Sequence, residues 1–215
     1  MFNWSNFLTI LAKKIPLPIA IFFLALSLAN AQTVSQQELL KAGSLPEAQQ
    51  GSANAPITII EYSSLTCGHC AFFSREVFPL IEENYIKTGK VNYITREFPL
   101  DAVASAAYMI GRALPPEQYR DYIEMMFAHQ REWAYTHNPY NALLTMGQQV
   151  GMNKTQVEAA ITNQEILDGL QQVRDRAYEQ FEVSATPTFF INGKKYVGAL
   201  KADQIVKIIE AELKK

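Results

Sequence analysis

Cysteine is scarce in this chain. Only two occur in 215 residues, and both fall in one tetrapeptide, Cys67-Gly68-His69-Cys70. No third cysteine is left for a structural bridge, so stability must come from an ordinary core. Histidine is equally sparse. Apart from His69 there are only His129 and His137, eight residues apart and far along the chain, which argues against a four-ligand zinc site. A c-type haem needs a histidine directly after the second cysteine, and Ala71 stands there. Basic charge is not in surplus either. Nineteen Lys and Arg face 21 Asp and Glu, with no basic run, which gives no support for a nucleic-acid partner. After Ala31 no apolar run is long enough to cross a bilayer, and the chain has no internal repeat and no low-complexity tract. No metal, haem or nucleotide cofactor is expected.

The first 31 residues have the layout of a targeting segment. Lys13-Lys14 form a positive flank, Ile15 to Leu28 an apolar stretch, and Ala29-Asn30-Ala31 an A-x-A cleavage box. The stretch is short for a membrane span, and Pro16 and Pro18 disfavour an uncleaved anchor. The expectation is a signal peptide over 1–31, a mature chain from Gln32, and export to the periplasm. An exported protein can keep disulfides, so its single cysteine pair is free for exchange.

The spacing of that pair suits redox chemistry. Ile57-Thr58-Ile59-Ile60-Glu61-Tyr62 reads as a buried strand, and Ala71 onward reads as a helix. Cys67 then falls at a helix N-terminus, where free N–H groups and the helix dipole favour an anion. A thiolate there is stabilised and its pKa falls. Cys70, one turn inside, is the more buried partner. Cys67 is therefore read as the nucleophile and Cys70 as the resolving thiol, with His69 placed either to donate to the thiolate or to lie near it as imidazolium. A purely structural bridge between them would close a four-residue ring and constrain little of the unfolded chain.

In chain order, Ser35-Gln36-Gln37-Glu38 resembles a capping box opening a short helix, Gln36 to Ala42. Residues 32–52 read as an N-terminal extension and connector. Pro56 to Tyr62 reads as a central strand covered on both faces. Cys67 to Lys87 reads as a helix kinked at Pro79, and Val91 to Phe98 as a second strand. From Asp101 to Phe181 only helical patterning appears, in segments opened by Asp101, Asn138, Asn153 and Asn163. Sheet character returns at Thr188-Phe189-Phe190-Ile191, where Asn192-Gly193 signals a hairpin to Lys195-Tyr196-Val197. Lys201 to Lys215 is an amphipathic terminal helix. His129, His137, Trp133, Met125 and Met126 read as surface or core residues. Pro187, just before the returning strand, is either a trans proline opening an edge strand or a cis proline packed against the cysteines. Spacing alone leaves the two level.

Strand, Cys-x-x-Cys, helix, strand, long helical stretch, then Thr186-Pro187, hairpin and terminal helix resembles the thioredoxin superfamily. Within it the chain is most similar to the DsbA branch of exported bacterial thiol:disulfide oxidoreductases. The resemblance covers nearly all of Ala53 to Lys215. It implies an α/β thioredoxin-like fold over 53–100 and 182–215, with an inserted all-helical domain over 101–181. It implies that Pro187 is the cis proline facing the cysteines and that Thr186 presents its backbone to a substrate peptide. It also implies that Glu61 is a buried acid able to relay protons to Cys70, against the plainer alternative of a solvated strand end. The lysine that often accompanies that acid has no counterpart, and Tyr93 falls where it would be expected.

The chain departs from the branch at two positions. Gly68-His69 replaces the Pro-His of strong oxidases, and Thr186 replaces the Val often found before the proline. The expected activity is disulfide introduction into reduced, unfolded exported proteins by a monomer, with a membrane protein as reoxidant. The alternatives are an isomerase or reductase working from the dithiol form, and a redox-independent chaperone.

Overall fold

The computed structural model describes residues 35–215. The targeting segment expected over 1–31 lies outside the described residues. Five strands form one sheet in the order β1-β3-β2-β4-β5: β1 Ala48–Gln50, β2 Ile57–Ser63, β3 Val91–Glu97, β4 Thr188–Ile191 and β5 Lys194–Val197. β2 and β3 are parallel, and every other pairing is antiparallel. Every residue of β2 and β3 is buried, as their near-continuous apolar character predicts for strands covered on both faces. β4 and β5 turn at Asn192-Gly193, where both residues take positive φ, 46° and 82°. Two successive left-handed residues suit the tight hairpin, and asparagine and glycine adopt that conformation most readily.

The helices are α1 Gln36–Leu39, α2 Gly68–Glu76, α3 Phe78–Ile81, α4 Ala102–Arg112, α5 Tyr119–Ala128, α6 Gln130–Trp133, α7 Pro139–Gln149, α8 Lys154–Ile161, α9 Gln164–Phe181 and α10 Ala202–Glu212. α4 to α9 all lie between β3 and β4 in sequence, which gives an α/β thioredoxin-like fold with a helical insertion. The expected start signals are real caps. Asp101, Asn138, Asn153 and Asn163 each accept a backbone N–H from the first turn of their helix, a contribution of about 1 kcal/mol apiece.

Three expectations need correction. The helix expected from Cys67 to Lys87 is broken at Val77 into α2 and α3 and ends in a π-helical turn, Glu82–Ile86. Pro79 sits in the first turn of α3, where its missing N–H costs nothing. Ser35 is the N-cap of α1 but makes no side-chain capping bond, and α1 stops at Leu39. The stretch expected to be connector supplies β1, antiparallel to β3 at the sheet edge. Three polar-edged residues carry no alternation to read; pairing alone makes them a strand.

Buried residues fall into three clusters. Ile57, Ile59, Phe73, Phe78, Tyr93 and Ile209 pack one sheet face against α2, α3 and α10. Leu39, Ile60, Tyr62, Phe181 and Phe190 pack the other face against α1 and α9. The third cluster is formed by the helical insertion, and Leu65, Cys67, Cys70 and Ala71 belong to it. The cysteine motif thus projects from the sheet into the core of the insertion. Among the described residues no helix is long and apolar enough to cross a membrane.

Candidate active site

The motif follows β2 after a short loop of Ser64, Leu65 and Thr66. Cys67, with φ −81° and ψ 117°, is the N-cap of α2, and its Sγ accepts the Cys70 N–H at 3.4 Å. An N-cap normally uses an oxygen for this purpose; here sulfur takes the position. Both cysteines are free thiols in this structure. Cys67 retains 9 % of its surface exposed, and Cys70 none. Across from them the Thr186–Pro187 peptide is cis, the alternative that spacing had left open. The Cys67 thiol donates to the Thr186 carbonyl at 3.3 Å.

These contacts divide the two sulfurs. The hydrogen bond from the Cys70 side chain, followed by the backbone N–H groups of Cys70 and His69, brings Cys67 from 9.0 down to about 5 despite its partial burial, and the bond to the Thr186 carbonyl belongs to the protonated thiol. Burial pushes the Cys70 thiol well above its ordinary value, and the Cys67 hydrogen bond and the Glu61 charge add to that. At neutral pH Cys67 is a thiolate and Cys70 a thiol. His69 contributes through its backbone. Its ring is exposed and makes no hydrogen bond among the described residues, contrary to the expectation that it donates to the thiolate.

Glu61 is not a solvated strand end. It is 5 % exposed and lies on the face of β2 that α2 covers. Burial raises its carboxyl from 4.5 to about 7, against the opposing pull of the Tyr93 hydroxyl and the Arg120 charge. Tyr93 donates to Glu61 Oε2 at 2.6 Å. Tyr93 therefore occupies the place where a lysine was sought, as a neutral donor. The cation comes from the insertion. Arg120 on α5 lies 4.0 Å over the Phe78 ring, and Phe78 packs edge-on to Tyr93 with 5.0 Å between centroids. Sequence reading missed Arg120 because nothing local links it to a strand some sixty positions earlier.

Two further residues were missed. Gln130, 3 % exposed, donates through Nε2 to the carbonyls of Leu65 at 2.7 Å and Cys67 at 3.0 Å. The Tyr135 hydroxyl donates to the Thr66 carbonyl at 3.0 Å. No local signal marked either residue: Gln130 stands in a polar run, His129-Gln130-Arg131-Glu132, and Tyr135 follows at the surface. The residues set aside behave as core or surface. Trp133 is fully buried with its indole N–H on the Met126 carbonyl, and His129 pairs with Glu132 at the surface. Among the described residues no three His, Cys, Asp or Glu side chains gather as a metal site would require.

An N-cap cysteine with a depressed pKa, a buried partner thiol and a facing cis proline, set on a parallel β2–β3 pair, define a thioredoxin-like dithiol protein. A family model described as thioredoxin matches residues 44–211. The chain belongs to that family, in its DsbA-like branch. Wolbachia pipientis alpha-DsbA1 superposes with a TM-score of 0.73 at 32 % identity, over 81 % of this chain and 94 % of that one. BdbD from Bacillus subtilis shares the fold with a TM-score of 0.68 at 21 % identity, over 79 % of this chain and 94 % of that one. A Rickettsia typhi protein named for protein-disulfide oxidoreductase activity is 28 % identical over 145 residues, 66 % of this chain and 53 % of that protein. The chain thus spans about half the length of the curated relatives it matches.

Proposed function

We propose that the protein introduces disulfide bonds into reduced, unfolded exported proteins through its Cys67–Cys70 pair. The observation that carries this is the divided pair itself: Cys67 brought down to about 5 at the N-cap of α2, beside a buried Cys70 held as a thiol. A low-pKa thiolate is a good leaving group, and stabilising it favours the reduced form, so the disulfide oxidises other thiols.

In the oxidised protein a substrate thiolate attacks Cys67 Sγ. A new sulfur–sulfur bond forms, the Cys67–Cys70 bond breaks, and its electron pair leaves on Cys70. Glu61, protonated about half the time near pH 7, supplies the proton that the buried Cys70 thiolate needs. A second substrate thiolate then attacks the substrate sulfur of the mixed disulfide and expels Cys67 as a stable thiolate. The substrate loses two electrons and the pair gains them. The substrate lies extended along the Thr186 backbone, beside Cys67. Reoxidation falls to a membrane partner. Export rests on the Lys13-Lys14, apolar and A-x-A order of the first 31 residues. The chain acts as a monomer.

Gly68-His69 and Thr186 favour the isomerase alternative, and one pair of assays separates the two. Oxidised protein is added to a reduced, multi-cysteine test chain, and reduced protein to the same chain with scrambled disulfides. Fast oxidation without rescue is expected. Efficient rescue of the scrambled chain would assign an isomerase instead. Activity in neither, or activity surviving Cys67→Ser, would leave only a redox-independent binding role.

A further inference from the structure

The loop that delivers Cys67 runs through Ser64, Leu65 and Thr66, outside any strand or helix. Carbonyls in such a stretch have no ladder to occupy them, yet three successive ones are taken by side chains of a single short segment. Gln130 binds the carbonyls of Leu65 and Cys67, and Tyr135 binds the Thr66 carbonyl between them. Both donors belong to the insertion, at α6 and the turn after it. α6 is itself anchored by the fully buried Trp133.

Gln130 is buried, its amide N–H groups are taken by these bonds, and its Oε1 lies 3.5 Å from the Tyr135 hydroxyl, so the two donors are themselves linked. The Cys67 carbonyl also accepts the Ala71 N–H, the first bond of α2. Fixing that carbonyl fixes the N-cap geometry on which the Cys67 Sγ contacts depend.

We propose that Gln130 and Tyr135 are positioning residues for the Cys67 nucleophile: by holding the Leu65, Thr66 and Cys67 carbonyls, the insertion aims Cys67 Sγ at the Cys70 N–H and at Thr186. This rests on the assignment of Cys67 as the reactive thiol. It adds that the aim is set from outside the thioredoxin-like part, by the helical insertion. Tyr135 is 61 % exposed, so its ring lies at the surface while its hydroxyl reaches the loop.

The test is the thiolate absorbance at 240 nm against pH in the reduced protein, with thermal melting in parallel. Gln130→Ala removes two of the bonds. Gln130→Glu keeps the shape but cannot donate when ionised. Tyr135→Phe removes one hydroxyl from an exposed ring and carries little risk to folding. We expect the midpoint to rise in all three, by about one unit in Gln130→Ala, a tenfold lower ratio of thiolate to thiol at a given pH. Tyr135→Phe should shift it less and keep the wild-type melting temperature. Unchanged midpoints in Tyr135→Phe and in whichever Gln130 variant folds would overturn the proposal. The readout needs no substrate. A shifted midpoint in a protein with no oxidase activity would reject the proposed function and keep the clamp, whereas an active oxidase with unshifted midpoints would do the reverse.

Discussion

Glu61 and Cys67 are shifted in opposite directions, and the signs have consequences for stability. Cys67 is depressed from 9.0 to about 5, so in the reduced protein its contribution is fully present above pH 9 and is lost as the pH falls through about 5. Glu61 is raised from 4.5 to about 7, so the fold is free of its penalty below pH 4.5 and bears it increasingly as the pH rises through 7. Glu61→Gln should therefore stabilise the protein above pH 7, by up to about 3 kcal/mol for a shift of this size, and do nothing at pH 4. Denaturant melts at the two pH values test this. The same variant should slow release of Cys70 as a leaving thiolate, so single-turnover oxidation should fall while Cys67 alkylation holds. Tyr93→Phe removes a donor that favours the Glu61 carboxylate and should raise its midpoint further. A carboxyl ¹³C titration gives that value directly.

At the scale of elements, Asp101 joins the insertion to the active-site loop, one carboxylate oxygen serving each. Oδ1 caps α4 by accepting the Ala104 N–H at 2.7 Å, and Oδ2 accepts the Thr66 hydroxyl at 2.7 Å. Asp101→Ala should cost about 1–2 kcal/mol in chemical denaturation, mostly through the lost cap, and Asp101→Asn should recover most of it. This cap was legible in the sequence because an N-cap is a local signal. So were α7, α8 and α9, each opened by an asparagine, and the β4–β5 hairpin at Asn192-Gly193. β1 was not, since its three residues become a strand only by meeting β3. The site divides in the same way. Cys67 and Cys70 announce themselves by their spacing between one strand and one helix, whereas Glu61 and Pro187 were reached only through the family resemblance. Gln130, Tyr135 and Arg120 reach the motif from helices distant in sequence, which no local pattern encodes. Sequence adjacency to Cys67 does not orient the His69 ring; it is the His69 backbone that helps lower the Cys67 pKa.

For the molecule as a whole, buried ion pairs and long side chains join the parts. Buried Glu97 at the end of β3 meets the partly buried Arg112 of α4 and the buried Tyr119 hydroxyl of α5, and Arg112 also donates to the Pro46 carbonyl at 2.8 Å. One cluster thus connects the sheet, the insertion and the N-terminal segment. Removing one partner strands a buried charge, so Arg112→Ala should lower stability by roughly 3–5 kcal/mol in urea melts. Arg96 does similar work with Glu47 and Tyr62, and Arg176 holds the Glu38 and Lys41 carbonyls. The insertion is therefore locked to the sheet, which lets its side chains hold the cysteine loop in one geometry.

The most direct test of the central claim is the equilibrium of the Cys67–Cys70 pair with glutathione at pH 7. A thiolate stabilised by several pKa units moves a two-electron couple upward by roughly 30 mV for each unit. The account predicts an oxidising pair, with a potential between about −120 and −200 mV. A potential near −270 mV, in the range of a reductant, would contradict it.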